Sequence, residues 1–306
     1  DDQVLRRVEH PPLAEREVEE LLRIALTGRT AADADTVRLI AKSSGGLPLH
    51  VTQAIRLYVE SGKEVDSGLA DLMAVRIGRL PTPALRLLQT VSALGYAAPL
   101  DEVREIYGGN GSWDDALTLL IRRGFLLPEP SSELIVSHSS IADAVQESMA
   151  ADARRALHRE IFERLLPEET EPIVASRHAF EAKLGERSLQ MLEEAAASAQ
   201  RCLDDKGAAL HLRTALRVAR WELLLEPDSP RCLELSHQLA EALRYAGDSL
   251  GAEVVLKEAV NAGESEPRIA ARLWRSLAIL HRGAGRIDEA EKAMRQAVGR
   301  AMLGGD

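Results

Sequence analysis

Aromatic side chains are scarce in this chain, with 3 Phe, 3 Trp and 4 Tyr among 306 residues. A core must therefore be built mainly from Leu, Ala, Val and Ile, a composition that favours helices over sheets. The two cysteines, Cys202 and Cys232, are too few and too widely spaced for a disulfide framework or a Cys-x-x-Cys metal site, so both are expected as reduced core thiols. No apolar run approaches the roughly 18–20 residues needed to span a bilayer, and no basic start leads into an apolar stretch as in a signal peptide. A cytoplasmic protein with no membrane partner is expected. Positive charge is in deficit: Lys plus Arg number 38 against 48 Asp plus Glu, a net −10. Phosphate backbones therefore repel the whole molecule unless its basic residues cluster. Asp1-Asp2-Gln3 holds no initiator Met, and the chain is expected to be processed or cut from something longer.

What is present is 45% hydrophobic and 28% charged residues, the balance of a soluble globular protein, which excludes disorder and collagen-like repeats. The length suits two or three domains, or a small domain joined to a repeat array. Leu13, Val18, Leu21, Leu22 and Ala25 recur at helical spacing behind Glu15 and Glu17. Asp33 or Asp35 caps a second helix ending at Ser43-Ser44-Gly45-Gly46, and Pro48 opens a third that runs to Gly62. After Ser67-Gly68, a helix over 69–80 leads through Pro81-Thr82-Pro83 into another ending at Gly95. Two short helices follow, Leu100 to Tyr107 and Trp113 to Arg123. The one strand signal comes next, Phe125-Leu126-Leu127 and Leu134-Ile135-Val136 around a Pro/Ser turn. Three short helices and a hairpin give the order of a winged helix, closed by a helix over 140–149.

From Ala151 onward, helix follows helix, with breaks expected at Pro167, Gly185, Pro227, Gly247, Gly263 and Gly285. Leu239-Ala240, Gly247, Ala252 and Ala259 are repeated 38 residues later as Leu277-Ala278, Gly285, Ala290 and Ala297. Ala208 and Ala215 form a looser copy 44 residues before Ala252 and Ala259. Small residues at these points let paired helices approach closely, and the pattern resembles tetratricopeptide (TPR) repeats. The fold expected is mainly α: a helical lid over 1–66, a winged helix over 67–150 with one small β-hairpin, and a TPR-like α-solenoid over 151–306.

No Gly-x-x-x-x-Gly-Lys-Ser/Thr loop, Gly-x-Ser-x-Gly elbow, His-Glu-x-x-His helix or Cys/His cluster is present, so neither catalytic nor metal-ligating residues are assigned. The Gly108-Gly109-Asn110-Gly111 cluster lacks the Lys and hydroxyl that a phosphate loop needs, and reads as an ordinary loop. Gly45-Gly46-Leu47-Pro48-Leu49 is a turn feeding a helix, where Pro48 can simply start the helix or pack flat on a planar ligand. His138 in Ser137-His138-Ser139-Ser140-Ile141 stands where the hairpin meets a helix, placed either to cap backbone groups or to donate to a phosphate. Arg155 and His158 share a helix face with Arg154 beside them, and read as a solvated basic stripe against a neighbouring helix. Trp221, Tyr245 and Trp274 read as core, and Glu168-Glu169-Thr170-Glu171 as a solvated loop.

In this order, Gly46-Leu47-Pro48-Leu49, a winged helix and Val136-Ser137-His138-Ser139-Ser140-Ile141-Ala142-Asp143-Ala144 resemble the later part of the nucleotide-binding module of STAND ATPases, which include NB-ARC proteins and bacterial LuxR-type large ATP-binding regulators. Pro12-Leu13, Glu17-Val18 and Leu21-Leu22 at the front, and Arg154-Arg155-Ala156-Leu157-His158 after the winged helix, extend the resemblance. It implies that Pro48 contacts adenine and His138 the phosphates of bound ADP; the family's usual Asp after that histidine is Ser139 here. It also implies that the phosphate loop lies outside these residues. On that account the chain needs no cofactor of its own, and ATP or ADP belongs to the full-length parent. The implied partners are an upstream nucleotide-binding domain and a protein or small-molecule inducer on the repeat arm. Two other readings stay open, a stand-alone TPR-like scaffold and a winged-helix DNA-binding regulator. For the latter, Asp114 and Asp115 stand where a recognition helix would meet base edges, so direct DNA binding is not expected.

Overall fold

The computed structural model describes residues 11–26, 33–61, 69–108, 112–130, 132–164 and 171–304. The Ser67-Gly68 break, most of the Gly108–Gly111 loop and residues 168–170 of the acidic stretch lie outside them. Among the described residues are sixteen α-helices and three short strands. The chain divides into two compact units, residues 1–150 and 151–306.

In the first unit, α1 (Glu15–Ala25) starts where the Ala14 N–H donates to Glu17 Oε2 at 2.7 Å, and it buries Val18 and Leu22. Of the two candidate caps for α2 (Ala34–Ser44), Asp33 is the one used, its Oδ1 accepting the Thr36 N–H at 2.7 Å. Val37 and Ile40 of α2, Val51 and Leu57 of α3 (Pro48–Ser61) and Leu72 of α4 (Leu69–Gly78) close one core with α1.

The next elements are α5 (Thr82–Leu94), β1 (Ala98–Pro99), α6 (Leu100–Tyr107), α7 (Trp113–Arg122), β2 (Leu126–Pro128), β3 (Glu133–Val136) and α8 (Ser139–Ser148). Helix α5 buries Leu87, Leu88, Val91 and Leu94, and packs against α6, α7, α8 and β3. The expected hairpin is there, with Leu126 opposite Val136 and Pro128 opposite Leu134. A third strand the sequence did not suggest, β1, pairs antiparallel with β3 through Ala98 and Leu134, giving the order β1-β3-β2. Two residues are too few to show a strand period, and Pro99 is tolerated because β1 is an edge.

The second unit comprises α9 (Ala151–Arg164), α10 (Pro172–Glu181), α11 (Glu186–Arg201), α12 (Asp205–Trp221), α13 (Pro230–Tyr245), α14 (Ser249–Ala262), a 3-10 turn (Gly263–Ser265), α15 (Pro267–Gly283) and α16 (Ile287–Gly304). Each helix packs on the next from α9 to α16, as in a TPR-like solenoid. The repeat alanines Ala208, Ala215, Ala252, Ala259 and Ala297 are buried, as close helix pairing requires, whereas Ala290, the counterpart of Ala252, is only partly buried. One break was not anticipated, the turn at Cys202-Leu203 between α11 and α12. Leu203 there adopts φ 59° without being glycine, and Asp204 Oδ1 caps α12 by accepting the Gly207 N–H at 2.9 Å. Asp248 and Gly251 repeat that cap at 2.9 Å, so the 44-residue offset extends to the turns as well as the alanines.

Several side chains depart from expectation. Cys202 is exposed at its turn, and only Cys232 is a core thiol; both are free. Trp221 and Tyr245 are exposed, because each is the last residue of its helix and lies past the packed stripe, whereas Trp274 packs against the core. His158 is buried and leaves the solvated basic stripe, while Arg155 stays near solvent and pairs with Asp152 at 3.0 Å.

Candidate functional site

Pro48 is exposed at the first position of α3, where its missing N–H costs nothing. The turn before it uses glycine twice, at Gly45 (φ 59°) and Gly46 (φ 69°). Gly46 is also needed for space: a Cβ there would sit 2.5 Å from the Leu13 carbonyl oxygen. The Leu13 N–H donates to the Gly46 carbonyl at 2.8 Å. Two strings singled out separately in the sequence, Pro12-Leu13 and Gly46-Leu47-Pro48, thus cross on one another.

His138 is the N-cap of α8. Its Nδ1 accepts the Ser140 N–H at 3.2 Å and lies 2.9 Å from the Ser140 hydroxyl. An Nδ1 that accepts carries no proton, so the neutral ring holds its proton on Nε2, as a donor not used in the cap. Capping and donation were open alternatives in the sequence; the observed geometry uses one nitrogen for the cap and keeps the other available.

Gly124 links the two regions. Its carbonyl accepts from Arg56 Nη1 at 2.9 Å and from the Ser137 hydroxyl at 2.7 Å. Arg56 stands on α3 about 12 Å along the axis from Pro48, and Ser137 directly precedes His138. Pro48 and His138 therefore belong to one connected unit, although His138 bonds only at its own helix start among the described residues.

Behind Arg56 sits a residue that sequence reading passed over. Arg76 is fully buried, donating to Glu60 Oε1 at 2.7 Å, to Gln53 Oε1 and to the Arg123 carbonyl at 2.7 Å, with its guanidinium 4.4 Å from the Phe125 ring centroid. The available signal was a single charge in the otherwise apolar end of α4, Met73-Ala74-Val75-Arg76-Ile77. Arg56, Glu60, Arg122 and Arg123 line a cavity of about 470 Å³ with Ala25, Ile55 and Val59. Burial, and then the Arg76 cation, lower the Arg56 pKa, with Glu60 acting in opposition. Among the described residues no group of three or more His, Cys, Asp or Glu could hold a metal ion. No described helix is long and apolar enough to cross a membrane.

Pro48 and His138 each leave one feature unused by the fold. An exposed proline ring without an N–H offers a flat apolar surface, and the His138 Nε2–H offers a donor to an anion. No family model and no curated protein matches the sequence. Among solved structures, the chain is similar to a signal transduction ATPase with numerous domains (STAND) protein with a tetratricopeptide repeat sensor from Pyrococcus horikoshii, at 15% identity and a TM-score of 0.50 over 97% of this chain. The likeness is one of fold. This chain spans 42% of the length of that one.

Proposed function

We propose that this chain is the regulatory and sensor segment of a STAND-type ATPase switch, acting in cytoplasmic signal transduction or transcription regulation. In this reading, residues 1–66 are the lid, 67–150 a winged helix and 151–306 the sensor arm. The observation that carries it is the fold likeness over 97% of the chain to a STAND protein with a tetratricopeptide repeat sensor. It is supported by the crossed Pro12-Leu13 and Gly46-Leu47-Pro48 strings and by the protonated Nε2 inferred for His138.

The nucleotide, ATP or ADP, belongs to the full-length parent, whose phosphate loop lies outside this chain. Pro48 would face the base and His138 Nε2 would donate to a phosphate, so the ADP-bound state is the one they hold. A protein or small-molecule inducer binding the repeat arm would favour the state in which these contacts are released. These 306 residues alone are expected to hydrolyse no ATP.

The test uses the parent protein with its upstream nucleotide-binding domain. Calorimetric titration with ADP should show at least tenfold weaker binding for His138→Ala than for the unaltered parent. Equal affinities would remove His138 from the site. A parent with no phosphate loop upstream of Asp1 would overturn the switch reading altogether.

A further inference from the structure

The cavity of about 470 Å³ at the ends of α1, α3 and α7 holds more positive charge than the fold neutralises. Glu60 is the one acid among its lining residues, and both carboxylate oxygens are taken by the buried Arg76, Oε1 at 2.7 Å and Oε2 at 3.3 Å. That pair cancels itself. Arg56, Arg122 and Arg123 remain, and none of the three has a carboxylate of its own among the described residues.

Their guanidiniums are short of acceptors as well. Arg56 gives Nη1 to the Gly124 carbonyl at 2.9 Å, and burial and the neighbouring Arg76 cation work against its charge. The Arg122 side chain finds no acceptor among the described residues. Arg123 Nη1 is shut off from solvent without any acceptor, although the backbone carbonyl of the same residue is bound by Arg76. A buried guanidinium N–H without an acceptor is uncommon, because nothing replaces the hydration it gave up. Like charges around one cavity also repel one another, so an anion among them would relieve both deficits.

We propose that this cavity is a binding site for a small organic phosphate monoester, its phosphate on Arg56, Arg122 and Arg123 and its apolar body against Ala25, Ile55 and Val59. Guanidinium forks match phosphate and carboxylate oxygens alike. Three uncompensated cations favour the more highly charged group, a phosphate monoester at about −1.5 to −2 near neutral pH, over a single carboxylate. The apolar lining residues and a volume within the range of about 300–1,000 Å³ usual for small-molecule sites call for an organic body beside that group. Neither Pro48 nor His138 lines the cavity, so the site is separate from the proposed nucleotide contacts and does not depend on the switch reading. A bound phosphate would tie α3 to the end of α7 beside the Arg56–Gly124 hydrogen bond.

Phenyl phosphate serves as the probe, with inorganic phosphate and benzoate as comparisons, in calorimetric titrations of the 306-residue chain. Phenyl phosphate should bind saturably and more tightly than either, since it alone brings both the doubly charged group and the apolar ring. The double variant Arg122→Gln, Arg123→Gln should bind it about tenfold more weakly or worse. Neither of those guanidiniums holds a hydrogen bond among the described residues, so the variant should keep the unaltered chain's circular dichroism spectrum and melting temperature. Arg122→Gln alone, at an exposed side chain, should still weaken binding by about threefold or more. The proposal is overturned by an absence of saturable binding up to about 10 mM phenyl phosphate, or by equal binding to the unaltered chain and both variants. Inorganic phosphate or benzoate binding as tightly as phenyl phosphate would overturn the ligand class.

Discussion

Gly124 holds φ 68° at the turn between α7 and β2, and a Cβ there would lie 2.1 Å from Arg56 Nη1. Two costs are therefore separable at one residue. An alanine pays for the left-handed backbone, about 1 kcal/mol, and it pushes the Arg56 guanidinium off the Gly124 carbonyl. A hydrogen bond to a charged group contributes about 1.5–3 kcal/mol. Gly124→Ala should then destabilise the first unit by about 2–4 kcal/mol in urea unfolding. In an Arg56→Ala background the same substitution should cost only about 1 kcal/mol, because no guanidinium remains to displace. Equal costs in the two backgrounds would show that Arg56 does not report through Gly124. The neighbouring Arg76 shows why such a site is hard to see in a sequence. Its partners Gln53 and Glu60 stand on α3 and the Arg123 carbonyl follows α7, both far from Arg76 in sequence, so no local spacing announces it.

Between α9 and α10 the fold buries two imidazoles against each other, His158 Nδ1 and His178 Nδ1 being 3.0 Å apart. Burial, and then Arg177 and Arg154, push the His158 pKa down to about 4. Burial, and then His158 and Arg177, push His178 down to about 3. Folded pKa values below the unfolded one mean that the unfolded chain binds more protons in acid. The stabilising contribution is therefore complete above about pH 6.5 and is lost as pH falls toward the folded values. At about 1.4 kcal/mol per pH unit per imidazole, the second unit should lose about 2–4 kcal/mol between pH 7 and pH 5, followed by urea unfolding. His178→Met should flatten that slope, and a slope unchanged by the substitution would show that other groups carry it. Element by element, the helices were legible wherever glycine or proline marks a break and alanine a close contact, which is why the 38-residue repeat could be read directly. The Cys202-Leu203 turn was hidden because a leucine takes the left-handed position. Burial of single side chains was equally hidden: His158 in the middle of α9 turns inward because α10 supplies His178, while Trp221 and Tyr245 at their helix termini stay exposed. Of the candidate site, the Pro48 turn and the His138 cap were visible as local strings, whereas the Gly124 link between their elements depends on contacts across 68 residues.

The net charge of −10 is unevenly spread over the whole molecule. Residues 101–150, which hold α7 and the hairpin, carry nine acidic side chains against three arginines. The three do not form one basic edge: Arg104 is exposed 5.9 Å from the Trp113 ring centroid, while the exposed Arg122 and half-buried Arg123 line the cavity that Glu60 also lines. At the opposite end of α7, where a recognition helix meets the bases, stand Asp114 and Asp115. A DNA-binding surface needs several cations to release counterions from phosphates, and its affinity then falls steeply with salt. The full chain should therefore give no saturable anisotropy change with a labelled duplex at about 50 mM salt, where even sequence-independent binding would be strongest. A complex that forms there and weakens by at least about tenfold at 200 mM salt would reverse this expectation. It would require cations of the second unit, where most of the chain's arginines lie, to form the contact. The charge of residues 101–150 therefore agrees with the switch reading proposed for this chain rather than with a DNA-binding one.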